Sequence, residues 1–111
     1  MPLTLEIDYV EFYSAELEAT EDFFGKAFSW EFVKYGPDYR DIQNAGIGGG
    51  IERSGPKAPL IVLKTDDLPA AYQQVSDAGA EITKEIFEFP GGTRFEFREP
   101  GGTDMAVWCP A

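Results

Sequence analysis

From Leu5 to Phe12 the chain reads Leu-Glu-Ile-Asp-Tyr-Val-Glu-Phe, and its alternation predicts a strand with Tyr9 and Glu11 on one face and Val10 and Phe12 on the other. The period then changes. Leu17, Thr20, Phe24 and Ala27 or Phe28 recur at helical spacing behind Ser14, which predicts an amphipathic helix capped by Ser14, with Glu16 and Glu18 suiting its positive end. Short strand pieces follow over 30–35, 39–43 and 46–53, the first two divided by the turn Gly36-Pro37-Asp38.

The order then begins again. Arg53 to Pro59, with glycine, two prolines and little apolar content, reads as a linker, so residues 54–57 separate a module over 1–53 from one over 58–111. Leu60 to Lys64 is a strand. Asp66 or Asp67 caps a second helix with Pro69 in its first turn; Leu68, Ala71, Tyr72, Val75 and Ala78 form its buried stripe, and Gly79 stops it. Three more strands over 82–89, 93–98 and 104–109 are divided by Pro90-Gly91-Gly92 and Pro100-Gly101-Gly102. At an offset of 51 the halves match in residue type, Ser14 with Thr65, Leu17 with Leu68 and Phe24 with Val75. The chain is therefore read as one strand-helix-strand-strand-strand unit used twice, an α+β architecture.

Composition narrows the chemistry. The 111 residues hold no histidine, one cysteine, and 20 acidic against 9 basic side chains, a formal net charge of −11. Without histidine there is no Ser-His-Asp triad, no Cys-His dyad and no imidazole ligand for zinc or iron. The acidic excess opposes a phosphate backbone, so no nucleic acid partner is expected. The start Met1 to Glu6 lacks a basic, then apolar, secretory leader, and no run approaches the ~20 apolar residues of a membrane span. A cytoplasmic protein without a membrane partner is expected, and one cysteine offers no internal disulfide.

Several motifs in order resemble the vicinal oxygen chelate superfamily of glyoxalases, bleomycin-resistance proteins and extradiol dioxygenases. They are Ile7-Asp-Tyr-Val-Glu-Phe-Tyr-Ser, Glu21-Asp-Phe-Phe-Gly-Lys-Ala-Phe-Ser-Trp-Glu31, Lys64-Thr-Asp-Asp-Leu68, Ala78-Gly-Ala80 and Arg98-Glu-Pro-Gly-Gly-Thr103. Gly46-Ile-Gly-Gly-Gly-Ile51 and Phe89-Pro-Gly-Gly92 resemble in particular its branch of small proteins related to lactoylglutathione lyase. The resemblance implies two βαβββ modules in a curved, incompletely closed eight-stranded mixed sheet with two outer helices, and a homodimer. It also implies metal-ligand positions, which fall on Tyr9, Leu60, Ala106 and near Gly50, with Glu52 two residues on. Leucine and alanine carry no donor and a neutral tyrosine is a poor ligand, so no metal or other cofactor is expected.

These positions suggest a cavity for a small, aromatic or hydrophobic molecule, with Tyr9, Glu11, Trp30, Leu60, Phe97 and Trp108 as ligand-binding residues. Two other readings stay open. One is a metal-dependent lyase or dioxygenase using Glu11, Glu52 and Glu96; the other is a metal-independent isomerase or lyase in which Glu11, buried beside aromatic rings, is the catalytic base. Cys109 has no neighbouring base or cation and reads as an inert thiol. Lys64, Arg94 and Arg98 either orient an anionic ligand or balance Glu96 and Glu99.

Overall fold

The computed structural model describes residues 3–111. Met1 and Pro2, the start of the stretch read for a leader, lie outside the described residues. The elements are β1 (Glu6–Ser14), α1 (Leu17–Phe28), β2 (Phe32–Lys34), β3 (Tyr39–Ile42), β4 (Gly48–Arg53), β5 (Leu60–Lys64), α2 (Leu68–Asp77), β6 (Glu81–Phe89), β7 (Gly92–Arg98) and β8 (Asp104–Pro110). The strands hydrogen-bond in the order β2-β3-β4-β1-β5-β8-β7-β6, a mixed eight-stranded sheet with β2 and β6 at its edges. Among the described residues no helix is long and apolar enough to cross a membrane.

The chain divides into two compact units, one of residues 9–60 and one of residues 61–111 together with the stretch through Asp8. In the first, β1 runs parallel to β4 with Glu11 opposite Gly50, and β3 runs antiparallel to β4 with Asp41 opposite the same glycine. Leu17, Ile42 and Ile51 form its core, packed by Phe12, Phe24, Trp30 and Phe32. Arg40 pins α1 to β3: its guanidinium is buried and donates to Glu21 at 2.8 Å, so the buried charge is paired. The side chains of β1 and β3 that alternate with Phe12 and Ile42 face away from this core.

In the second unit β5 runs parallel to β8, and β7 lies antiparallel to both β8 and β6. Leu68, Ala71, Phe95, Phe97 and Val107 form its core, packed by Leu63, Tyr72, Val75 and Met105. The N-terminal stretch joins this unit rather than the one that follows it in sequence. The Leu3 backbone exchanges two hydrogen bonds of 2.8 Å with the Gln74 amide, Leu5 packs on the second core, and Trp108 donates to Asp8 at 2.9 Å.

Two local expectations change. Glu16, not Ser14, is the N-cap of α1 and makes no side-chain cap; the Ser14 hydroxyl instead accepts from the Glu16 N–H at 3.0 Å. Phe28, offered with Ala27 as the last residue at helical spacing, is 51% exposed at the end of α1, beside Ser29 in the left-handed conformation. The second helix follows its signals: Asp67 accepts from the Ala70 N–H at 3.1 Å, and Gly79, at φ +106°, ends it. Phe95→Ala is expected to lose roughly 3–5 kcal/mol of stability and Asp67→Ala about 1 kcal/mol, both read by chemical denaturation.

Candidate functional site

Helix α1 covers the Phe12 side of β1, so alternation places Tyr9, Glu11 and Tyr13 on the opposite face of the first unit. The same rule puts Tyr39, Asp41 and Gln43 there from β3. Between them runs β4, where Gly50 stands in register with both Glu11 and Asp41. A strand without a side chain at this point lets its two neighbours meet.

They meet through their phenols. The Tyr9 and Tyr39 hydroxyls lie 2.5 Å apart, directly over Gly50. A Cβ on Gly50 would stand 2.0 Å from the Tyr39 hydroxyl and 2.2 Å from that of Tyr9, so no other residue fits under the pair as it stands. The chain of contacts continues on both sides. Tyr9 donates to Asp41 Oδ1 at 3.2 Å, and Tyr39 reaches Glu11 Oε2 at 3.4 Å. Tyr13 donates to Glu11 Oε1 at 2.7 Å, and the Gln43 amide donates to Asp41 Oδ2. Glu11 is only 7% exposed.

Burial and neighbouring charge shift these groups in one direction. Burial raises the Tyr9 phenol far above its ordinary value, and the negative charges of Asp41 and Glu11 add to this. For Tyr39 burial again comes first, followed by its hydrogen bond with Tyr9. Burial also raises the Asp41 carboxyl. At neutral pH both phenols are therefore neutral donors beside two carboxyl groups.

Of the residues assigned from sequence, Tyr9 and Glu11 share this face and are linked through Tyr39. Leu60 opens β5, half-buried. Trp108 lies on β8, where it bonds Asp8 and has the Lys64 ammonium 5.9 Å from its ring. Trp30 and Phe97 stand elsewhere. Trp30 packs at 5.1 Å on Phe24 and 5.0 Å on Phe28, on the side of the first unit that α1 covers, and Phe97 lies in the core under α2 beside Phe95. Aromatic residues at alternating positions fill a core as readily as they line a site. Tyr13, Tyr39, Asp41 and Gln43 were missed as site residues. The alternation Tyr39-Arg-Asp-Ile-Gln43, which repeats the pattern Tyr9-Val-Glu-Phe-Tyr13, was the available signal.

Other groupings offer less. A shallow groove of about 600 Å³ beside α1 is bordered by Glu18, Glu21, Asp22, Trp30 and Phe32. Its acids are already paired, Glu18 with Arg40 and Arg53, Glu21 with Arg40 and Asp22 with Lys26. Arg94 bonds Glu96 at 2.8 Å, and Arg98 bonds Asp104 rather than Glu99. Among the described residues no three acidic or thiol side chains form a group that could hold a metal ion. Glu52 belongs to the first unit, and Glu96, in the second, is held by Arg94.

A fold of two βαβββ units with this polar face defines a class. The chain belongs to the Glyoxalase/Bleomycin resistance protein/Dioxygenase superfamily, whose sequence profile matches residues 6–107. Solved structures share its fold. The Mn(II)-bound glyoxalase from Novosphingobium aromaticivorans is 23% identical, with a TM-score of 0.73 over 94% of this chain and 38% of that one, so this chain spans well under half its length. A superfamily member from Vibrio splendidus 12B01 is 17% identical over 96% of this chain and 99% of its own, with a TM-score of 0.70. Methylmalonyl-CoA epimerase from Mycobacterium tuberculosis is 15% identical over 100% and 93%, with a TM-score of 0.72. No curated protein matches the chain. At these identities the likeness is one of fold.

At the positions where the resemblance puts metal ligands stand Tyr9, Leu60, Ala106 and Gly50, with Glu52 two residues on, and the Tyr9 hydroxyl is bonded to Tyr39 and Asp41. Gly50→Ala is expected to drive the two hydroxyls apart, at a cost of roughly 1–3 kcal/mol. In the native protein these phenols hold their protons well above pH ~10, where the unfolded chain releases them. The unfolded state then binds fewer protons than the native one, so stability falls as pH rises past that point. Tyr9→Phe or Tyr39→Phe should flatten this alkaline loss, measured as denaturation midpoint against pH.

Proposed function

We propose that this protein binds a small, largely aromatic or hydrophobic molecule on the Tyr9 face, and that it does so by shape and hydrogen bonds without a metal ion. The observation that carries the reading is the Tyr9–Tyr39 hydroxyl pair over Gly50, which turns phenol oxygens toward each other at the place where the superfamily resemblance puts a ligand to metal. Half-buried phenol rings supply flat apolar walls, and Glu11 and Asp41 supply acceptors for the donors of a ligand. The net charge of −11 disfavours polyanionic ligands and favours neutral or cationic ones. Holding a molecule needs affinity and no chemistry, and fold alone does not imply a reaction.

A second reading rests on Glu11. Its carboxyl is almost wholly buried and receives the Tyr13 hydroxyl at 2.7 Å, a setting that suits a general base in a metal-independent isomerase or lyase. In that case Glu11→Gln abolishes turnover while leaving ligand affinity nearly intact.

The test is thermal denaturation against a panel of neutral, cationic and anionic aromatic compounds. A true ligand at a hundred times its Kd stabilises the native state by about 2.7 kcal/mol, and Tyr9→Phe should diminish that gain. The reading fails if no compound raises the midpoint, or if stabilisation requires added manganese, nickel, zinc or iron.

A further inference from the structure

Four acids of the first unit are matched with cations: Glu18 with Arg40 and Arg53, Glu21 with Arg40, Asp38 with Arg53, and Asp22 with Lys26. Asp41 is not. Among the described residues it enters no ion pair. Its oxygens accept from neutral donors instead, Oδ1 from the Tyr9 hydroxyl at 3.2 Å and Oδ2 from the Gln43 amide. The other two lysines of the unit stand elsewhere. Lys57 lies 4.2 Å from the Tyr13 ring centre, and Lys34, in register with Arg40, is on the face of the sheet opposite Asp41. A carboxylate that takes two donors still has lone-pair sites for about two more.

Around this carboxylate the face is apolar or bare. Val33 stands in register with Asp41 on β2 and is 38% exposed, and Tyr35, two residues on, is 62% exposed. Gly48 alternates with Gly50 along β4, so it lies on the same face; it is exposed and in register with Tyr9. The half-buried carboxylate thus sits between an exposed apolar side chain and an exposed stretch of backbone, with the Tyr9 ring beyond.

We infer that Asp41 anchors the ammonium group of a small organic amine whose apolar body rests on Val33, Tyr35 and Gly48. The inference rests on the reading of the Tyr9 face as a binding face, and narrows its ligand to a monocation. An ammonium brings donors and no acceptor, which matches a carboxylate with lone pairs to spare, and a bond charged on both sides is stronger than one to a neutral hydroxyl. Tyr9 and Gln43 act as positioning residues. They hold both oxygens before the ligand arrives, so little side-chain freedom is lost on binding. A ligand carboxylate in the same place would face the charge of Asp41 within a chain of net charge −11.

Calorimetric titration of the full chain with phenethylamine and a graded series of aryl and alkyl amines, each beside its alcohol and carboxylate analogues, tests the anchor. The best amine is expected to bind about tenfold or more tightly than its alcohol analogue, with backbone NMR shifts at Val33, Asp41 and Gly48. Asp41→Asn keeps the size of the side chain and an acceptor for Tyr9. It is expected to bring amine affinity down to that of the alcohol, whose own affinity stays nearly unchanged. Asp66→Asn removes the same charge from an exposed site of the second unit and is expected to leave amine binding as it was. Alcohols or carboxylates that bind as tightly as the amines would overturn the anchor while the binding face stands. A preference for amines that survives Asp41→Asn, or that Asp66→Asn removes equally, would also overturn it. Failure of every compound to bind would overturn both readings. The comparison of amine with alcohol uses the native chain, so it decides the matter even where Asp41→Asn fails to fold.

Discussion

Alternation along β1 and β3 is the constraint on which the first unit depends. Once Phe12 and Ile42 turn toward Leu17 and Phe24 beneath α1, the pleat leaves Tyr9, Glu11, Tyr39 and Asp41 no choice of side. A slip of one residue in either strand would bury carboxylates under the helix and expose the core. The hydrophobic packing of one face thus sets the chemistry of the other, and does so with more free energy than the polar contacts themselves contribute.

Within that frame Gly50 decides what the polar face becomes. With a side chain there, Tyr9 and Tyr39 would be held apart and the face would carry four separate polar groups. Without one, the phenols close over β4 and join two carboxyl groups in a hydrogen-bonded line. Burial then keeps the phenols neutral, which lets them serve as donors and acceptors together. The second unit has no such glycine between its strands at the matching register. It places Ala106 and Val62 there, both buried, so the repeat in the sequence does not extend to the polar line.

The repeat itself was legible because it rests on local physics. Helical spacing, Asp67 before Pro69, the glycine after the second helix and the glycines between strands mark where elements begin and end, and those positions recur in the structure with shifts of a residue or two. The shared face of Tyr9 and Glu11 follows from the same period-two rule. Trp30 and Phe97 show where that reasoning stops. An aromatic side chain at an alternating position is consistent with core or site, and only the packing partner tells the two apart.

By itself, then, the sequence determined the βαβββ order and the lack of histidine, since these are properties of residue type and spacing. Tertiary structure decided which tyrosine Tyr9 would meet. Tyr39 lies thirty residues away, across a helix and two turns, and its approach depends on the parallel register of β1 with β4 and the antiparallel register of β3 with the same strand. Those registers are set by the packing of Leu17, Ile42 and Ile51 under α1. No local pattern encodes them, because a side chain's partner across a sheet is fixed by the pairing of whole strands.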